Sequence, residues 1–495
     1  MDAKTKQMTA KMGRDIVIHP SSNKGFGAQQ ILLGCARGKT LMTLHRIAAV
    51  LLFLFALAAP ALAQPAGSDA LVQLGPRAAP TKHVQVSALP TMAPPSFDAA
   101  KATDKYLARV SGAARAKSDA YFEGGYWLQL VDLIYGVAVA SILLWLQISS
   151  RISDWVDERT HSRTYQVMLY VAVYVPLTTL MTFPIVVYEG FFREHAYGLS
   201  NQNFWQWLGD FGIGFALNFA AMVLLLPVLY AAIRRARENW WVWGAGLMIA
   251  FEIVTVVIWP IFVAPLYNHY SPLPAGPLKS QILSLARAND VPVDNVWLVD
   301  ASRQSNRVSA NVSGLFGTAR ISLNDNLLKQ GTPDEVLAVL GHEMGHYVMD
   351  HVTRELLLEA LVILVGFAFV NRAFLMACDM FGGQWQVRKL SDVAGLPLLI
   401  ALANIYMFLA IPVTNTISRT TEYQADIFGL DAVRKPDAFA TVMLKLSTYR
   451  KLEPGKWEEI IFYDHPSGRT RIEAAMRWKK EHIGDPGLQD AAQLP

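Results

Sequence analysis

Apolar residues along this chain gather into long unbroken runs rather than the one-sided stripes of soluble helices. Six runs approach the length that crosses a bilayer as helix, near residues 127–148, 165–187, 211–233, 240–263, 356–378 and 394–417. Trp127, Trp145, Trp240, Trp241 and Trp259 sit toward their ends, as indoles do at a membrane–water interface. Any one run could be a core helix of a soluble protein, but six together predict a mainly α, polytopic membrane protein.

Two more polar blocks interrupt the pattern. In the first, 265–355, residues 296–299 and 319–323 read as short strands around a loop with Asn306, Asn311 and Gly314. The second, 418–484, is helical in character. The expected order is four membrane helices over 118–264, a polar half-domain, a membrane hairpin over 356–417, a second polar half-domain, and a tail over 485–495. The hairpin thus splits one polar domain. No internal repeats are visible.

The start of the chain has a different pattern. Met42-Thr43-Leu44-His45-Arg46 precedes an apolar run over 47–59, then Ala61-Leu62-Ala63 stands before Gln64. That order reads as a secretory signal peptide over 42–63, with an uncleaved anchor as the alternative, and 1–41 as an extension upstream of a second start. The Leu33-Gly34-Cys35 triplet lacks the apolar stretch a lipoprotein signal needs. Residues 64–117, rich in Ala and Pro, read as an extended linker with a weak helix over 106–117.

Composition agrees with the membrane assignment. Hydrophobic residues make up 53% and charged residues 17%, with a mean hydropathy of +0.26. A net charge of +4 without long basic runs gives nucleic-acid binding no support. Two cysteines exclude a disulfide framework and a thiolate zinc site.

Candidate chemistry centres on H-E-x-x-H at His342-Glu343-Met344-Gly345-His346. On a helix, residues four apart share a face, so both imidazoles can address one metal. Glu343 is then placed to take a proton from water at that metal. Thr332-Pro333-Asp334-Glu335 reads as the helix start, with a capping residue, Pro at the first turn and two acids. Zinc, one ion per chain, is the expected cofactor. A third protein ligand is needed. His351 comes five residues after His346, where a metzincin needs six and a turning Gly, so it is set aside. Glu422 is the better candidate. Asp426, one turn on, can hold the outer N–H of a ligating imidazole, and Arg419 is close by. His465-Pro466-Ser467-Gly468-Arg469-Thr470-Arg471 offers a histidine and cations for an oxyanion; the residues alone leave an ordinary charged turn equally open.

Taken in order, H-E-M-G-H at 342–346, S-R-T-T-E-Y-Q-A-D at 418–426 and H-P-S-G-R-T-R at 465–471 resemble the type I CAAX prenyl protease family of integral-membrane zinc metallopeptidases. Ala264-Pro265-Leu266-Tyr267-Asn268 and Tyr197-Gly198-Leu199-Ser200-Asn201-Gln202 extend the likeness over residues 120–480. The resemblance implies a gluzincin-like domain with a small sheet and an intramembrane chamber. It implies zinc on His342, His346 and Glu422, Glu343 as general base, and Asp426 behind the ligands. It further implies His465 and Arg471 as oxyanion or substrate-backbone groups. An edge strand at Ala310, Asn311 and Val312 would pair with substrate, and Asn268 is a further substrate-binding candidate.

Sidedness departs from the family. Loops 149–164 (Arg151, Arg159, Arg163), 231–240 (Arg234, Arg235, Arg237) and 371–393 (Arg372, Arg388, Lys389) each carry three cations, against Arg193 alone in 188–210. By the positive-inside rule these three loops face the cytoplasm and the zinc domain lies opposite. A cleaved signal peptide leads to the same side. The expectation is therefore a metalloendopeptidase of a bacterial inner membrane, facing the periplasm. It would act on membrane-associated or hydrophobic-tailed proteins, in envelope quality control or processing. The alternatives are an inactive chaperone or scaffold of the same fold, and a transporter, which the few ionisable residues in the runs (Asp132, Glu252) disfavour. Oligomeric state is not legible.

Overall fold

The computed structural model describes residues 97–313, 319–387, 389–485 and 488. The expected extension over 1–41, the signal segment over 42–63 and most of the Ala/Pro-rich stretch lie outside the described residues.

The first element is a short helix, α1 (Ala99–Leu107), capped by Asp98, which accepts from the Ala100 and Lys101 amides at 3.0 and 3.1 Å. Ala99, Ala102, Tyr106 and Leu107 are buried on one face. The helix expected over 106–117 therefore falls across a break: the apolar spacing upstream of Tyr106 governs, residues 108–111 separate α1 from α2, and Gly112 (φ +60°) opens α2.

The membrane part follows as α2 (Gly112–Trp145), α3 (Ile148–Asp157), α4 (Arg163–Val187), α5 (Phe204–Ala236) and α6 (Trp240–Ile258). Five helical stretches are long and apolar enough to cross a membrane. The third of them, Phe204–Tyr267, is 64 residues long and consists of two limbs. It breaks at Arg237 (φ +46°), and a Cβ on Gly244 would stand 3.1 Å from Leu229 Cδ1. On an unbroken helix those two residues would be about 22 Å apart, so α5 and α6 fold back on each other. The described residues therefore hold six apolar helical limbs.

The polar cap is built from β1 (Tyr270–Pro272), α7 (Pro277–Ala288), β2 (Val296–Val299), β3 (Ala310–Ser313), β4 (Arg320–Asn324), α8 (Asp325–Gln330) and α9 (Pro333–Val348). After the membrane hairpin α10 (His351–Trp385) and α11 (Leu396–Val433), it is completed by α12 (Pro436–Leu446), α13 (Lys456–Phe462) and α14 (Gly468–Glu481). The sheet order is β1-β2-β4-β3, with β2 and β4 parallel and the outer pairs antiparallel. The two strands expected from sequence are thus the inner pair. β3 is a free edge.

Each part has its own core. Ile282, Ile321, Leu340, Phe439 and Ile472 anchor the cap, while Tyr170, Tyr230, Trp240 and Phe374 anchor the bundle. Polar contacts clasp the two together. Asn201 N donates to Gln304 O at 2.9 Å, its side chain to Asn306 Oδ1 at 2.8 Å, and Asn306 Nδ2 returns to Gly198 O at 2.9 Å. The Tyr197–Gln202 motif is therefore a joint, in which Gly198 (φ +72°) makes the turn. α1 belongs to the cap: Tyr106 Oη donates to Asp437 at 2.7 Å, and Lys479 pairs with the same carboxylate at 2.7 Å.

At the other end of the bundle, the loops after α2 and α10 meet. Ser149 Oγ donates to Ala394 O at 2.6 Å and Gln147 Nε2 to Gln384 O at 3.0 Å. The cation-rich loops 149–164, 231–240 and 371–393 thus lie at bundle ends remote from the cap.

Candidate metal centre

The site is made where α9 crosses α11. Thr332 and Glu335 form a capping box at the start of α9, and Glu335 also pairs with Lys445 at 2.6 Å. The crossing is close because small residues meet there. A Cβ on Gly345 would lie 3.1 Å from Ala425 Cα, and one on Gly429 only 2.8 Å from the His342 amide nitrogen. Gly341 and Gly345 directly precede His342 and His346, and Ala425 directly precedes Asp426. The backbones touch, and the polar side chains of both helices converge beside the contact.

Ligand atoms of His342, His346 and Glu422 all lie within 4.8 Å of one another. His342 Nε2 is 3.2 Å from Glu422 Oε2 and 3.2 Å from His346 Nε2, and His346 Nε2 is 3.5 Å from Glu422 Oε1. Donors bonded to one tetrahedral zinc at ~2.1 Å stand ~3.4 Å apart. The spacing fits. Glu422 Oε2 is buried and has no hydrogen-bond partner, which a metal would supply. Two imidazoles and a carboxylate are a zinc donor set.

The outer nitrogen of each histidine has a partner. His342 Nδ1 meets Asp426 Oδ1 at 2.8 Å, and Arg471 holds that carboxylate with Nε on Oδ2 at 2.8 Å and Nη2 on Oδ1. Arg471 is 6% exposed. Its Nε and Nη2 hold Asp426, so it backs the ligand. His346 Nδ1 lies 3.1 Å from His351 Nδ1. Ligand spacing along the chain carries no signal of this contact.

Charge and burial set the titrations. Burial pulls His342 down, but the Asp426 and Glu422 carboxylates beside it outweigh this and raise it to about 9. His346 is pulled down to about 4, first by burial and then by the charge on His342. Burial pushes the Glu343 carboxyl up to about 7.

Glu343 also accepts from the Val312 amide, so the edge strand touches the base. Asn324 N donates to Ser309 O at 3.0 Å, and antiparallel alternation then turns the amide and carbonyl of Ala310 and Val312 to the free edge, with Asn311 bonded inward. Asn268 is elsewhere. Its side chain donates to Asp300 at 3.4 Å beside β1, the opposite edge of the sheet.

His465 Nε2 stands 3.2 Å from Glu422 Oε2, and its Nδ1 is 2.9 Å from Asp464 Oδ1. Although burial opposes it, the His465 bond holds the Asp464 carboxyl down at about 2. Arg419 does not reach the histidine pair. It donates to the carbonyls of Glu459 (2.9 Å) and Tyr463 at the end of α13, and to Thr416 Oγ1 at 2.9 Å. Cations suit a helix C-terminus, and this one positions the segment that carries His465.

Comparison with known proteins agrees with this geometry. Residues 272–479 match the profile described as peptidase family M48, and residues 99–269 one described as "CAAX prenyl protease N-terminal, five membrane helices". The "Uncharacterized metalloprotease YhfN" of Bacillus subtilis is 32% identical over 352 residues, covering 71% of this chain and 82% of that protein. A "CAAX prenyl protease 1 homolog" of Oryza sativa is 30% identical over 312 residues, covering 59% and 68%. The crystal structure of S. mikatae Ste24p superposes with a TM-score of 0.64 at 21% identity, covering 76% of this chain and 95% of that one.

Proposed function

The chain belongs to peptidase family M48 together with the CAAX prenyl proteases, and from that premise we propose that this multi-pass membrane metallopeptidase is a zinc-dependent endopeptidase. The observation that carries the proposal is the convergence of His342, His346 and Glu422 at zinc-donor spacing, beside a carboxylate on a free strand edge.

Zinc, when bound, supplies Lewis acidity to the scissile carbonyl and makes water nucleophilic near neutral pH. The chain's own residues do the rest. A substrate strand adds to β3 through the outward amide and carbonyl of Ala310 and the carbonyl of Val312, whose amide is held by Glu343, and this fixes its direction. Glu343 accepts the proton of the attacking water and returns it to the leaving amine. His465 stands on the Glu422 side of the centre, placed to donate to the oxyanion. Asp426 and Arg471 keep His342 in the tautomer that offers Nε2.

We assign the cap to the periplasmic side of a bacterial inner membrane. α1, the first described element, is packed into the cap, which is the side a cleaved signal segment would export. The cation-rich loops lie at the other end. This favours envelope proteins with hydrophobic tails or membrane segments as substrates over prenylated cytosolic ones, with quality control or processing as the role.

Purified protein should carry one zinc per chain, lose activity to a chelator and regain it with zinc. Glu343→Gln should keep the zinc and lose about 10²- to 10⁴-fold in turnover. Full activity in that variant would end the proposal. Sidedness is tested separately, by a single cysteine replacing the exposed Lys480 in a chain without native cysteines. Labelling of intact spheroplasts by an impermeant thiol reagent supports the periplasmic assignment, and labelling only after lysis reverses it.

A further inference from the structure

His351 makes a contact that the chemistry above does not use. Helix α9 ends at Val348, the Met349 amide closes it on Gly345 O at 3.0 Å, and Asp350 then takes left-handed backbone angles (φ 52°, ψ 42°) before α10 begins at His351. On one continuous helix, a residue five positions on would point about 140° away from His346. The break at Asp350 undoes that. It swings the His351 ring back against His346, with Nδ1 to Nδ1 at 3.1 Å and the ring planes at 76°. His351 is 1% exposed, and Gln424, held by Arg354 Nη1 at 2.8 Å, is its next polar neighbour.

Two ring nitrogens at that distance share one proton, and its place follows from the other side of the ring. His346 Nε2 faces the centre, 3.2 Å from His342 Nε2 and 3.5 Å from Glu422 Oε1. A ligating Nε2 must offer its lone pair, so the His346 proton sits on Nδ1 and is donated to His351 Nδ1. His351 then carries its own proton on Nε2. We propose that His351 is a positioning residue that fixes the tautomer and tilt of His346, the counterpart for the second imidazole of Asp426 for the first. This rests on the zinc reading above. It differs from that reading in assigning the role to a neutral, buried imidazole that ligates nothing.

The test measures zinc affinity by chelator competition on the full-length protein in detergent, independently of catalysis. His351→Leu fills the space without an acceptor and should weaken zinc by about 10- to 100-fold, the usual cost of removing such a partner. His351→Asn puts Oδ1 where Nδ1 stands and should keep most of the parent affinity. Parent affinity in His351→Leu, or equal losses in both variants, would reduce His351 to packing and overturn the proposal. Should the Leu variant fail to fold, His351→Asn against His351→Val makes the same comparison. A parent protein whose zinc survives Glu422→Ala would instead sink the metal reading, and this inference with it.

Discussion

His342 and His346 stand one turn apart on α9, yet the two flanks of the site support them by opposite means. On the His342 side the support is ionic. Asp426 is fully buried, and Arg471, itself buried, grips it through two nitrogens. On the His346 side the partner is a second imidazole, five residues along and brought back by the turn at Asp350. The electrostatic result differs accordingly. His342 is raised to about 9, despite its burial, and His346 is lowered to about 4 by burial and its neighbour's charge. One flank strengthens its ligand by placing a carboxylate behind it, while the other orients its ligand without adding charge. A buried ion pair is strong only while both members are present; a neutral pair has less to lose.

That contrast can be broken from either side. Asp426→Ala should be the most damaging change, because it leaves Arg471 as an uncompensated buried charge at a cost of about 3–5 kcal/mol. Thermal unfolding of the metal-free protein would register this, and a melting temperature near the parent's would mean Arg471 finds another partner. Gly429→Val should displace both flanks together by forcing α11 off the His342 backbone, with about 1–3 kcal/mol of overpacking strain and loss of zinc. Retention of one zinc per chain in that variant would show that the crossing is looser than its 2.8 Å approach implies.

Smaller changes sharpen the comparison. Arg471→Lys keeps the charge but not the two-nitrogen grip, so zinc affinity should fall by about tenfold, at the low end for such a partner. No change would place the whole effect in charge and none in geometry. Arg419→Gln lies outside both flanks. It should cost about 1 kcal/mol through the freed carbonyls of Glu459 and Tyr463, and slow turnover through His465 while zinc content stays at the parent level. Zinc loss there would tie α13 to the ligands themselves.

Much of this protein is written in local periodicity. Unbroken apolar runs, with tryptophans at their ends, determine the membrane helices; H-E-x-x-H and E-x-x-x-D each place two side chains on one helix face; a short apolar run marks β2 and alternation marks β4. Such signals set backbone angles and say which face a side chain occupies. They do not say which faces meet. The approach of α9 to α11 depends on Gly341, Gly345, Ala425 and Gly429, whose pattern is visible only once the two helices are known to cross. That Asn268 lies beside β1, at the sheet edge opposite β3, follows from strand order, which no short motif carries. Arg419 is beside Glu422 in the chain but bonded to α13 in space, because a long side chain on a helix goes to the nearest unpaired carbonyls. Ligand spacing addresses His351 only as a metal donor; that one left-handed residue at Asp350 returns its ring to His346 is settled in three dimensions. The sequence by itself determined the chemistry available and the helices that carry it; only the tertiary structure, through long-range packing, decided which of those groups share one centre.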